Sequence, residues 1–289
     1  MILPQTGVDP RFIAMPAQSQ RRIRPSFVIA VVMLLCVAAL ILLVPLLPGY
    51  DPMQQNLMQS MKPPFQDRAN LLGTDPLGRD LLSRLSVAAR ISVLVAFGAV
   101  IISAAIGMLM GLLAGWTRGL LEKVLMAVGN TQLSIPVILL LIVLVASLGS
   151  SVTLLLLLLG LTNWVSYGRI VRAQVLSLRE REFITASVTA GGSGWWIMRR
   201  HLLPHVLPAV LVLAAFDIGV VITIESSLSF IGLGIQPPTP SLGLMISEGQ
   251  RYLQTDISLA LLPALVTFLL IGGVQFASQS LTARKSDGR

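Results

Sequence analysis

His201 and His205 are the only two histidines in the chain, four residues apart. On a helix that spacing can present both imidazoles to one metal ion. No cysteine or carboxylate obviously joins them, since the single cysteine is Cys36, and Pro204 lies between the pair. No metal site is expected. Lysine is almost as rare: Lys62, Lys123 and Lys285 are the only three, and none sits in a Gly-x-x-x-x-Gly-Lys-Ser/Thr phosphate loop. The chain is therefore not expected to hydrolyse ATP by that route. Serines are plentiful but lack a histidine in a pattern that suggests a nucleophile and its base. No catalytic residue and no cofactor is expected. Two features are left that carry charge where it is costly or unusual. One is the pair Asp217 and Glu225, set in apolar sequence. The other is the basic, glycine-rich stretch REREFITASVTAGGSGWWIMRRHLLPH, Arg179 to His205.

The elements around these residues are membrane-grade. The chain of 289 residues is 54% hydrophobic and only 12% charged, against about 25% charged in soluble domains. Charges fall in islands between long apolar runs, which predicts an all-α membrane protein. Ser26 to Pro48 is an uncharged first span and Ile91 to Thr117 a second. Val124 to Gly168 is 45 residues without a charge, enough for two spans of about 20 residues each, with Gly149-Ser150-Ser151 as the hairpin tip. A fifth span follows His205 and a sixth lies within Ile257 to Ala283. The first span resembles a signal peptide superficially. However, 25 residues precede it, its apolar run is too long and no small-x-small cleavage site follows. It is read as retained, with Cys36 inside it.

Lysine and arginine fix the expected orientation, because cytoplasmic segments carry the excess. With the N-terminus inside, 15 of the 21 basic residues fall on the inner side and 6 on the outer. The inner set includes Arg11, Arg21, Arg22, Arg24, Arg118, Arg169, Arg199 and Arg200. The outer set is Lys62, Arg68, Arg79, Arg84, Arg90 and Arg251. Both termini are expected in the cytoplasm. Residues 1–25 and 284–289 form tails around a membrane region, 26–283. The net charge of +8 is thus a topology signal; no basic patch with interleaved aromatics points to nucleic acid.

Local patterns refine this. Ser103, Gly107, Gly111 and Gly115, each four apart, form a stripe of small residues where another helix backbone can approach. Pro136 should bend the third span by leaving a carbonyl unpaired. Residues 49–89 and 231–256 are outer segments, the latter an irregular loop with Pro237, Pro238 and Pro240. Asp75, Arg79 and Asp80 follow turn chemistry in Thr74-Asp75-Pro76-Leu77-Gly78, and either pair locally or meet an outer partner. A carboxylate at mid-bilayer costs roughly 2.5–3.5 kcal/mol, so Asp217 and Glu225 must face a bundle interior or water. Eight residues place them about 12 Å apart along a helix. Two roles stay open: Asp217 lining a path with Glu225 bracing its outer end, or both bonding to neighbouring helices.

The inner segment reads as a helix from Arg179 to Ala190, ended by Gly191-Gly192. Ser193 then caps a second short helix through Trp195 and Trp196, whose indoles suit the membrane interface. Pro204 and Pro208 mark a turn into the fifth span. The result is a short helix presenting small side chains at the inner face, either to a partner or to lipid.

These residues resemble the inner-membrane permeases of ATP-binding-cassette importers, in the dipeptide/oligopeptide/nickel group. That family's cytoplasmic signature has Glu-Ala-Ala, glycine six positions after the Glu, and a later Leu-Pro. Here Thr185-Ala186-Ser187, Gly191 and Leu203-Pro204 fill it, and "RRHLLP", with Arg200 and His201, resembles the family too. Two further segments are similar: LLGTDPLGRDLLSR (Leu71–Arg84) and ESSLSFIGLGIQPPTPSLGLMI (Glu225–Ile246). The resemblance covers about residues 71–283. Thr185 stands in place of the usual Glu, Ser187 of Ala, and Asn130 of Asp. The resemblance implies a multi-pass protein of the bacterial inner membrane. It implies a coupling helix between spans four and five (Thr185, Ala186, Ser187, Gly191, Gly192, Arg200, His201, Pro204) that docks on separate ATPase subunits. It also implies a second, homologous permease forming the translocation path, and an extracytoplasmic binding protein delivering a peptide, nickel, metal chelate or opine. A membrane scaffold or receptor docking a signalling protein is the competing reading.

Overall fold

The computed structural model describes residues 25–67 and 69–286. The expected N-terminal tail, with its four arginines, Arg68 and the last three residues lie outside the described part. Among the described residues the chain is helical, with one isolated bridge between Thr74 and Asp80.

Eleven α-helices follow in order. They are α1 (Pro25–Leu43), α2 (Leu81–Thr117), α3 (Gly119–Leu133), α4 (Val137–Leu148), α5 (Val152–Thr162), α6 (Trp164–Arg179), α7 (Glu182–Thr189), α8 (Gly194–Ile197), α9 (Leu203–Phe230), α10 (Leu242–Gln250) and α11 (Ser258–Ser286). Five continuous stretches are long and apolar enough to cross a membrane, and α3 with α4 makes a sixth if that bent pair is one span.

α2 is the central post, packed against α5, α6 and α9, while α1 lies along α11. The small-residue stripe explains the closeness of α2 to α6. At Gly111 an added Cβ would lie 2.6 Å from the Gly168 carbonyl oxygen and 2.7 Å from Val171 Cβ. Gly115 meets Val175 in the same way, and Ser103 Oγ donates to the Gly160 carbonyl at 2.8 Å. One apolar core joins Leu85, Val95, Leu155, Ile222, Leu228 and Leu242 towards the α10 end. A second joins Tyr167, Val171, Val175, Ile184, Ile197 and Leu202 towards α7.

The hairpin tip is where expected: α4 stops at Gly149 (φ 87°), and Ser151 caps α5 by accepting from Leu154 N–H. Four expectations need correction. α2 begins ten residues before Ile91, because Asp80 caps it and the Arg84 charge is buried in an ion pair rather than excluded from the helix. At Pro136 the third span breaks rather than bends. α3 ends at Leu133, and α4 leaves at 84° from the residue after the proline. The residue before a proline is pushed out of helical geometry, so Ile135 and Pro136 together end the run. The expected turn at Pro204 and Pro208 is absent. A π-helical turn, Met198–Leu202, carries α8 directly into α9, so Gly194 to Phe230 is one stretch of 37 residues. Pro204 and Pro208 both lie within this continuous stretch, Pro204 just after the π-helical turn. Finally, segment 231–256, expected as an outer loop, contains α10, packed on α9 and α11.

Candidate functional site

α7 is held to the body of the protein by one deeply buried side chain. Ile184 is 1% exposed and enters the core beside Ile197 and Leu202. Thr185, Ala186, Val188 and Thr189 face outward. The hydroxyls on this helix are satisfied within it: Ser187 Oγ donates to the Phe183 carbonyl at 2.8 Å and Thr189 Oγ1 to the Thr185 carbonyl at 3.0 Å. Such a surface is small-featured, uncharged over its middle and needs no partner to satisfy its polar atoms. Glu180 and Glu182 line the same open face beside Thr185, Ala186, Thr189 and Ala190.

The helix starts at Glu182 rather than Arg179, because α6 continues unbroken to Arg179 and the chain turns at Glu180 and Arg181. Its end matches the expectation from Gly191-Gly192. Gly191 takes φ 85°, Gly191 N–H donates to the Val188 carbonyl at 2.9 Å, and Gly192 N–H to that of Ser187 at 3.0 Å. This pair of bonds is the Schellman closure. Ser193 caps α8 as expected, accepting from Trp196 N–H at 3.3 Å.

Three aromatic contacts brace this corner. Phe183 stacks on His205, with centroids 5.6 Å apart, and meets His201 edge-on at 6.0 Å, while Trp196 meets His201 at 5.1 Å. His205 Nδ1 lies 2.6 Å from the His201 carbonyl; a carbonyl only accepts, so Nδ1 carries the proton. The two histidines thus pack with aromatic rings. Arg200 and Pro204 are exposed on the same stretch.

Trp116, which the sequence did not single out, fastens this corner to the central post. Trp116, in the last turn of α2, offers its carbonyl to Arg179 Nη1, and the Arg179 guanidinium lies 5.3 Å above its ring. An added Cβ at Gly194 would sit 2.6 Å from the indole nitrogen of Trp116. Asn130 also has a defined partner, accepting from Arg169 Nη2 at 2.7 Å. That position needs an acceptor, which the amide supplies without charge.

Asp217 and Glu225 both point into the bundle. Glu225 is fully buried: Oε2 accepts from Ser92 Oγ and Oε1 from Ser229 Oγ, both at 2.9 Å. Asp217 is 6% exposed and accepts from Asn163 Nδ2 at 3.1 Å, at the joint between α5 and α6. Each carboxylate therefore ties α9 to another helix. On the opposite side, Asp75 is buried and paired locally with Arg79 (2.6 Å) and Arg84, and Asp80 caps α2.

The chain is thus all-helical among its described residues, with several candidate spans and a small exposed helix between two of them. Residues 107–286 match the family described as the inner membrane component of binding-protein-dependent transport systems. The chain belongs to that family. Its relatives include the dipeptide transport system permease protein DppC of Haemophilus influenzae, 34% identical over 247 residues, covering 84% of each chain. The nickel transport system permease protein NikC of Escherichia coli K12 is 33% identical over 80% of this chain and 83% of its own. The oligopeptide transport system permease protein OppC of Haemophilus influenzae is 32% identical over 87% of this chain and 82% of its own. The permease is accordingly a multi-pass protein of the bacterial inner membrane and a transport subunit. The scaffold reading has no support among these relatives.

Proposed function

We propose that this permease is one of two membrane subunits of an ATP-driven importer, with both termini in the cytoplasm and α7 as its coupling helix. α7 docks in a groove on a separate ATPase subunit and passes that subunit's closure to the spans. The observation that carries this is the construction of α7: an exposed, self-satisfied helix fixed by Ile184 and by the Gly191 closure. Thr185, Ala186, Ser187, Gly191 and Gly192 form the docking face and its cap, and Arg200, His201 and Pro204 lead from it into α9. A second, similar permease completes the translocation path. An extracytoplasmic binding protein delivers cargo to the outer segments, and the relatives' names support a short peptide or a related small solute such as nickel.

The test is ATPase activity of the complex co-purified with its genomic neighbours, with and without the binding protein. Stimulation that collapses in Gly191→Trp, while the complex stays intact, is the expected result. An intact complex whose stimulated activity ignores that substitution sinks the coupling role, and absence of any co-purifying ATPase sinks the importer reading.

For Asp217 and Glu225, the bonds to Asn163 and Ser92 support the role of interhelical ties over that of path lining. Asp217→Asn should then weaken assembly and leave cargo selectivity unaltered. Normal assembly with changed selectivity would return Asp217 to the path.

A further inference from the structure

A groove of about 340 Å³ runs between α2 and the segment that joins α8 to α9. Leu109, Leu112 and Leu113 form one wall, and Trp195, Met198 and Arg199 the other. It lies outside the α7 docking face and outside the buried carboxylates. From Leu113 to Ala105, its farthest residue along α2, is eight residues, about 12 Å at 1.5 Å per residue. Half the hydrocarbon core of a bilayer is about 15 Å. The groove therefore starts one turn from the end of α2 at Thr117 and is about 12 Å long, comparable to one leaflet.

Its rim is charged and its floor apolar. Arg118, Arg169, Arg172 and Arg179 each have a partner within the chain. Arg199 is exposed and forms no hydrogen bond or ion pair with the described residues. It sits on the π-helical turn Met198–Leu202, a deformation frequent at functional sites. That turn buries Met198 and Leu202 while leaving Arg199 at the groove. Beside it, the indole of Trp195 is well exposed, as suits the headgroup level.

We propose that this groove binds one anionic phospholipid. An acyl chain lies along Leu109 and Leu113, and the phosphate and its anionic headgroup meet Arg199 and the Trp195 N–H. Charge complementarity selects this occupant. A helix of the partner permease would fill the apolar floor but leave an unpaired guanidinium at its edge. On the orientation proposed above, the lipid belongs to the cytoplasmic leaflet, whose anionic lipids attract arginine by about 1 kcal/mol each.

The test uses the whole complex in nanodiscs with equal phosphatidylglycerol and phosphatidylethanolamine of matched chains. Lipid retained after detergent extraction is counted by mass spectrometry. Phosphatidylglycerol should be enriched in the wild-type complex. Because Arg199 is exposed, Arg199→Gln should leave folding intact and lower that enrichment about fivefold, matching the attraction per arginine. Arg199→Lys should restore it, and Leu109→Trp should lower retention of both lipids by filling the groove. The proposal is overturned if Arg199→Gln keeps full enrichment, or if Leu109→Trp changes neither lipid. It is equally overturned if Leu109→Cys cross-links efficiently to the partner permease, showing that protein covers the groove.

Discussion

Arg84 and Glu248 stand 164 positions apart in sequence and meet at 3.2 Å, closing the start of α2 onto α10. Arg84 is 3% exposed and shared with buried Asp75, whereas the Glu248 side chain is 37% exposed. The two acidic partners are therefore unequal. Asp75→Asn leaves Arg79 without a carboxylate and Arg84 with only the partly exposed Glu248, and breaking a buried pair from one side costs about 3–5 kcal/mol. Glu248→Gln loses a partly solvated pair, about 0.2–1 kcal/mol. Thermal unfolding of the detergent-solubilised complex should show a large drop for the first and a small one for the second. Equal drops would mean that α10, and not Asp75, anchors the start of α2.

The stripe on α2 predicts a steric series. At Gly111 an added methyl group meets the Gly168 backbone and Val171, so the helices must separate. Gly111→Ala should cost about 1–3 kcal/mol, the usual range for overpacking, and Gly111→Leu should block assembly. At Gly119, where nothing lies within 4 Å of an added Cβ, the φ of 77° is the only obstacle, and Asn there should be tolerated. Yield of intact complex by size exclusion checks the contrast.

Gly191 separates strain from obstruction. Space around it is open, but φ is 85°, and a left-handed backbone costs other residues roughly 1–2 kcal/mol. Gly191→Asn should keep most binding-protein-stimulated ATPase activity and Gly191→Ala should lose part of it. Gly191→Trp, adding bulk on the docking side, should lose nearly all of it.

Ile184→Ala should act on coupling before it acts on folding. It removes the one side chain that α7 sinks into the core, a change of about 2–5 kcal/mol for a buried isoleucine. The spans do not depend on it, so the complex should still assemble while stimulation falls. An unchanged stimulation would show that the Phe183 stack on His205 suffices to hold the helix.

Much of this architecture was legible because membrane spans and caps are local signals. Uncharged runs marked the spans, small residues at four-residue spacing marked a close helix contact on α2, and Gly191 and Ser193 marked the end of one short helix and the start of another. The failures share one cause: partners distant in sequence. A helix was not expected to continue through Arg84 because the charge suggested an edge, and only Asp75 and Glu248 make that charge bearable. α10 hid among prolines because its burial comes from α9 and α11. Trp116 drew no attention and Arg179 was read as the start of the inner helix; their contact across 63 positions is invisible to local pattern. At Pro204 the sequence suggested a turn, yet a wider helical turn just before it absorbs the mismatch.

The Ser92–Glu225 bond also sets an order of manufacture. The chain is made from its N-terminus, so Ser92 in α2 is synthesised 133 residues before Glu225. A hydroxyl is cheap to leave waiting in lipid, and an unpaired carboxylate is not. With the inexpensive half of the bond placed first, α9 can be released sideways into a ready site instead of carrying an orphan acid through the membrane. Exchanging the two residues would keep the bond and reverse that order. Such a chain would match the native one once finished and falter while being built.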